Sequence, residues 1–198
     1  MNFDKPTGFL SIILGPMWSG KTSKLVDIYK QCTYCDITVL PINYAHDNRY
    51  GEGDNKMATH DERNIPCLKA LTLSLVSNIC EDKLTPEFKA ATVILINEGQ
   101  FFSDIKEWVL CAVEKHKKQI YICGLDGDYR REKFGKLLDL IPFCDKVEKL
   151  TSICMICKKN RAIFTHRIQS TAVADTVQEQ ILIGTAEYIP LCRYCYTV

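Results

Sequence analysis

The sequence predicts an α/β fold, a parallel β-sheet flanked by helices, followed by a small β-rich module that carries paired cysteines. Three observations predict it. Apolar runs alternate with helical patterns through the first half of the chain. A glycine-rich turn joins the first run to the first helix, and two Cys-x-x-Cys pairs close the sequence. The texture changes after about residue 150, so the expected division is 1–150 for the α/β unit and 151–198 for the cysteine module.

Phe9-Leu10-Ser11-Ile12-Ile13-Leu14 reads as a buried strand, and residues 20–34 as the helix that follows it. Residues 37–42, rich in Ile, Val and Thr, form a second strand. Residues 43–64 are polar and read as a long loop, and 68–76 as a short helix. Residues 92–96 are continuously apolar, as a central parallel strand buried on both faces must be. A helix is expected over 104–118. Asp104 would favour its N-terminus, Ile105, Trp108, Val109, Ala112 and Val113 form one stripe, and Lys115, Lys117 and Lys118 suit its C-terminus. Residues 119–123 complete the strand, helix, strand rhythm of right-handed parallel crossovers.

The 198 residues, 46% hydrophobic and 25% charged, describe an ordinary globular protein long enough to bury a sizeable core. A net charge of +1 supplies no global basic field, so neither nucleic acid nor an anionic membrane is an expected partner. The apolar stretch over residues 9–14 is too short to span a bilayer and has no cleavage-type tail, so neither a span nor a leader is expected.

Gly15-Pro16-Met17-Trp18-Ser19-Gly20-Lys21-Thr22 fits G-x-x-x-x-G-K-[ST] between a predicted strand and a predicted helix. Glycines at those positions let successive backbone N–H groups cradle phosphate oxygens at a helix N-terminus. Lys21 would reach the β and γ phosphates, and the Thr22 hydroxyl would ligate magnesium. This makes the larger unit a P-loop NTPase-type domain that uses ATP and Mg2+. An acidic residue is expected at the tip of a neighbouring strand. Residues 93–96 lead into Asn97-Glu98-Gly99-Gln100, which makes Glu98 the general base or metal organiser. Asn97 stands where P-loop enzymes usually hold the metal's water shell with aspartate. Loss of one charge-assisted hydrogen bond, about 1.5–3 kcal/mol, predicts a tenfold to hundredfold handicap that Asn97→Asp would test.

Eleven cysteines, an odd count, argue against a disulfide framework and for a reducing compartment. Cys154/Cys157 and Cys192/Cys195, with 34 residues between the pairs, supply four thiolates suited to tetrahedral structural Zn2+. Cys32/Cys35 has no further ligands nearby and reads as packing. So do Cys67, Cys80, Cys111, Cys123 and Cys144, since a free cysteine behaves as a small buried hydrophobe. The four histidines form no metal-site spacing.

These motifs, together with Tyr44-Ala45-His46-Asp47-Asn48-Arg49-Tyr50, Thr59-His60-Asp61, Glu98-Gly99-Gln100-Phe101-Phe102, Gly124-Leu125-Asp126-Gly127-Asp128-Tyr129, Lys133-Phe134-Gly135 and Lys149-Leu150-Thr151, resemble the zinc-containing class of thymidine kinases. The resemblance runs in order from about Phe9 to Tyr196. It implies that Glu98 takes the proton of the sugar 5′-hydroxyl, and that Asp47, Arg49, Asn97 and Gln100 lie with the phosphate loop around magnesium ATP. It implies that Met17, Phe101, Leu125, Tyr129 and Phe134 wall the thymine ring, Tyr129 in a place usually held by phenylalanine, with Thr165 near the base methyl. A lasso loop of the zinc module, here including Leu182, Ile183, Gly184 and Tyr188, would close over the nucleoside. The family picture adds a homotetramer, a cytoplasmic location and feedback inhibition by thymidine triphosphate.

Two rivals are distinguishable. A nucleic-acid-dependent P-loop ATPase would need a basic stripe, and the only candidate is the interrupted run Arg130-Arg131-Glu132-Lys133. A non-catalytic nucleotide-binding relative would follow if Asn97 were disabling, although Lys21, Thr22 and Glu98 all remain.

Overall fold

The computed structural model describes residues 7–47, 55–59, 61, 63–168 and 188–198. Along the chain lie β1 (Phe9–Leu14), α1 (Lys21–Tyr34), β2 (Val39–Tyr44), β3 (Lys56–Ala58), β4 (Asn64–Pro66), β5 (Leu68–Ala70), α2 (Leu73–Val76) and α3 (Pro86–Ala90). There follow β6 (Val93–Ile96), α4 (Ile105–Leu110), β7 (Gln119–Gly124), β8 (Lys146–Lys149), β9 (Ser152–Ile153), β10 (Arg161–Ala162), β11 (Phe164–Arg167), β12 (Tyr188–Leu191) and α5 (Arg193–Thr197).

Six strands form one sheet in the order β5-β2-β6-β7-β1-β8, every neighbouring pair parallel. The two-residue period of a strand divides each one between two cores. Leu10, Ile12, Ile42, Ile94, Ile96, Ile120 and Ile122 pack with Phe88, Phe102 and Trp108 on one face. Ile13, Val93, Leu95, Tyr121 and Cys123 pack with Leu25 and Val26 of α1 on the other, where Met57 of β3 and Ile65 of β4 join them. The expected α/β architecture is therefore present. No described helix is long and apolar enough to cross a membrane.

Several local expectations need correction. Residues 68–76 split into β5 and the single turn α2, because Leu68–Ala70 extends the parallel sheet beside β2. The loop read over 43–64 contains the antiparallel pair β3 and β4 in its described part. The helix expected over 104–118 is regular only through Leu110, after which Cys111–Lys115 winds in a wider turn. Asp104 does not cap its own helix. Its carboxylate accepts from the backbone N–H groups of Leu73 and Ser74 at 3.0 and 2.9 Å, and so caps α2. The predicted stripe holds: Ile105, Trp108, Val109 and Ala112 are buried.

Cysteine placement is mixed. Cys32, Cys67 and Cys123 are buried, but Cys80 and Cys35 are exposed and Cys111 and Cys144 are half-buried, so packing does not account for all of them. After β8 two short antiparallel pairs, β9 with β10 and β11 with β12, surround a separate small cluster of Cys154, Ala162, Leu191 and Cys192.

Candidate active site

Buried β1 delivers the chain into the turn Gly15–Thr22. Gly15 adopts φ +151°, and a β-carbon there would stand 2.7 Å from the Leu150 carbonyl oxygen, so the residue must be glycine. Gly20, at φ +82°, turns the chain into α1. Lys21 is buried and its Nζ donates to the Pro16 carbonyl at 2.7 Å, closing the loop on itself. Ser19 Oγ is buried with no hydrogen-bond partner among the described residues. An inward-facing hydroxyl, a lysine and a helix N-terminus are a donor set suited to phosphate oxygens. Trp18, on the outside of the loop, is 43% exposed.

The sheet brings the tip of β6 beside this loop. Thr22 donates its hydroxyl to Asn97 Oδ1 at 3.2 Å. Asn97 is buried, and its Nδ2 donates to Asn43 Oδ1 at 3.0 Å, while Asn43 Nδ2 donates to Asp47 Oδ2 at 3.1 Å. The Cys123 thiol donates to Asn97 Oδ1 at 2.9 Å. Hydroxyl, amide oxygen and carboxylate are hard oxygen donors, which fit magnesium.

Glu98 follows in the left-handed region, φ +54°, a costly conformation for a glutamate that aims its side chain into the site. It is buried, and Gln100 Nε2 donates to its Oε2 at 2.6 Å. Gln100 Oε1 in turn accepts from the Leu125 backbone N–H at 3.0 Å. Two glycines make room for this glutamine. A β-carbon on Gly124 would lie 2.4 Å from Gln100 Oε1, and one on Gly135, which has φ +62°, 2.0 Å from the Gln100 carbonyl oxygen. Gln100 thus joins the carboxylate to the residue 125 loop.

Aromatic rings gather beside Glu98. Phe101 stacks on Tyr44 with centroids 5.0 Å apart and meets Phe134 edge-on at 5.3 Å. Met17 of the phosphate loop is buried, and its backbone N–H donates to Thr165 Oγ1 of β11 at 3.1 Å. Tyr196 donates its hydroxyl to the Tyr129 carbonyl at 2.6 Å. The C-terminal segment therefore holds both the phosphate loop and the 125–135 loop. Tyr188 is buried on β12, opposite Arg167. Arg49, Leu182, Ile183 and Gly184 lie outside the described residues. Sequence reasoning assigned no role to Asn43 or Tyr196, and it read Cys123 as packing without foreseeing its bond to Asn97. The one available signal for Asn43 was a single amide inside the run Val39–Tyr44.

The sulfur atoms of Cys154, Cys157, Cys192 and Cys195 lie within 4.8 Å of one another, and those of Cys157 and Cys192 are 3.9 Å apart. Tetrahedral zinc at its usual sulfur distance of about 2.3 Å separates its ligands by about 3.8 Å, so the cluster fits that ion. Burial opposes the Cys154 thiolate, yet the backbone N–H groups of Cys192, Cys157 and Ile156 outweigh it and bring the thiol down to about 6.

A family model described as thymidine kinase matches residues 8–196. A thymidine kinase of Yaba monkey tumor virus is 38% identical over 191 residues, 96% of this chain and 95% of that protein. A thymidine kinase of Oryza sativa subsp. japonica is 38% identical over 192 residues, 96% of this chain and 66% of that protein. One from Variola virus is 35% identical over 190 residues, covering 96% and 97%.

Proposed function

The chain belongs to the thymidine kinase family, and from that premise we propose that it transfers the γ-phosphate of ATP to the 5′-hydroxyl of thymidine with Glu98 as general base. The observation that carries this reading is the buried Glu98 carboxylate, held by Gln100 beside the phosphate loop. Glu98 accepts the proton of the 5′-hydroxyl as that oxygen bonds to the γ-phosphorus. The bond from the γ-phosphorus to the bridging oxygen breaks, and ADP leaves.

The backbone of Gly15–Thr22 and the Lys21 ammonium bind the phosphates and stabilise the charge that spreads over them. In that role Lys21 exchanges its bond to the Pro16 carbonyl for phosphate oxygens. Thr22, Asn97 and Asp47 would hold magnesium, with Arg49 nearby, and the ion would neutralise phosphate charge. Met17, Phe101, Leu125, Tyr129 and Phe134 wall the thymine, with Thr165 near its methyl group. Flat aromatic and thioether surfaces suit a base.

Residues 1–150 act as the nucleotide-binding domain and 151–198 as the module that closes over the nucleoside through Leu182, Ile183, Gly184 and Tyr188. Its zinc is structural, because four thiolates leave no open coordination position. Closure excludes water and suppresses ATP hydrolysis. The odd cysteine count fits a reducing, cytoplasmic setting. A homotetramer belongs to the same family reading. Feedback by thymidine triphosphate belongs to the same reading, since it would present both a thymine and phosphates.

The test is thymidine monophosphate formation by the purified protein with magnesium ATP, against deoxycytidine and no-nucleoside controls. Thymidine-dependent product that falls at least a hundredfold in Glu98→Ala is expected. Equal product from Glu98→Ala would remove Glu98 from the mechanism, and no thymidine-dependent product at all would overturn the substrate.

A further inference from the structure

Asn97 departs from the aspartate usual in P-loop enzymes, and the reason lies in the residue it faces. Asn43 is a buried amide in the otherwise apolar strand β2. Parallel pairing sets Ile42 against Ile96, and Asn97 N–H donates to the Ile42 carbonyl at 2.9 Å, so residues 43 and 97 emerge side by side. Their side chains form a directional chain. The Thr22 hydroxyl donates to the Asn97 oxygen, the Asn97 amide to the Asn43 oxygen, and the Asn43 amide to the Asp47 carboxylate. Every donor points towards Asp47, an alignment in which each bond polarises the next.

Asn43 cannot reverse cheaply. Its Oδ1 also accepts from the Tyr44 backbone N–H at 3.0 Å, and a flipped amide would orphan that group and turn an oxygen towards Asp47. Position 97 therefore faces a fixed acceptor. An amide can donate to it, whereas a carboxylate would set two acceptors against each other in a buried place.

We propose that Asn43 is a positioning residue that forms a matched neutral pair with Asn97, aiming the Asn97 oxygen at Thr22 and leaving Asp47 to carry the metal-facing charge. This rests on the magnesium ATP reading of the phosphate loop. It also reverses the sequence expectation for Asn97→Asp: that substitution alone lowers turnover.

The test compares wild type, Asn43→Leu, Asn97→Asp and the double variant. One readout is the magnesium concentration that half-saturates the ATP-induced change in tryptophan fluorescence, which Trp18 on the phosphate loop shares with buried Trp108; kcat, thymidine KM and melting are measured beside it. Asn43→Leu is expected to raise the magnesium requirement and lower kcat, each roughly tenfold, with thymidine KM unchanged. Asn97→Asp should lower kcat, and lower it by a smaller factor in the Asn43→Leu background, where no acceptor opposes the carboxylate. If Asn43→Leu does not fold, Asn43→Ser, too short to span to Asn97, takes its place. Higher turnover in Asn97→Asp, strictly additive effects, or a folded position 43 variant with unchanged magnesium requirement and kcat would each overturn the pairing. The fluorescence arm reads the pair even if thymidine is not the substrate, so the two failures separate.

Discussion

At the scale of single residues, Glu98 is only as well aimed as Gln100 is held. Gln100→Leu removes the bonds to Glu98 and to the Leu125 N–H. It should lower kcat roughly tenfold to a hundredfold while ATP binding is retained, which steady-state kinetics with thymidine and ATP varied separately would resolve. Gly135→Ala combines a left-handed backbone with a β-carbon 2.0 Å from the Gln100 carbonyl oxygen. It should destabilise the fold by about 1–3 kcal/mol and misplace Glu98; unchanged melting would show that the loop yields. Lys21, Thr22 and Glu98 could be singled out in the sequence because each occupies a fixed place in a pattern with a chemical reason. Asn43 and Tyr196 were not, since their roles depend on strand register and on chain segments that meet only in the fold.

At the scale of elements, the buried strands were readable because a central parallel strand must be apolar on both faces. The misread pieces were decided by tertiary partners. Asp104 caps α2 across the fold, and the residues after Leu68 pair as strand because β2 offers an edge. At Cys67, beside β4, such packing bears on a titrating group. Burial raises its thiol from 9.0 to about 11, and the same cause raises Tyr121 of β7 to about 12. The folded protein keeps these protons where the unfolded chain has begun to release them. Stability should therefore be whole below about pH 9 and fall as pH rises from there through about 11, with Tyr121 extending the loss. Urea denaturation at both ends of that window should show a shallower fall in Cys67→Ala; an unchanged slope would place the effect elsewhere.

At the scale of the whole molecule, the small cysteine module touches the larger unit at two functional loops, through Thr165 to Met17 and through Tyr196 to Tyr129. Bound zinc should be found at one ion per chain. Chelation or Cys192→Ala should lower the melting temperature and raise thymidine KM about tenfold or more, with a smaller change for ATP. Metal analysis paired with kinetics would check this, and an unchanged thymidine KM after zinc loss would confine the ion to local stability. The order of strands has a consequence for synthesis. β1 is made before its partners, since among the described strands it pairs with β7 and β8, which follow about a hundred or more residues later in the chain. At translation rates of roughly 5–20 residues per second, its apolar segment waits on the order of 5–20 s for partners. The nucleotide loop is thus translated well before the strands that hold it in place, and the apolar strand leading into it stays unpaired until they arrive.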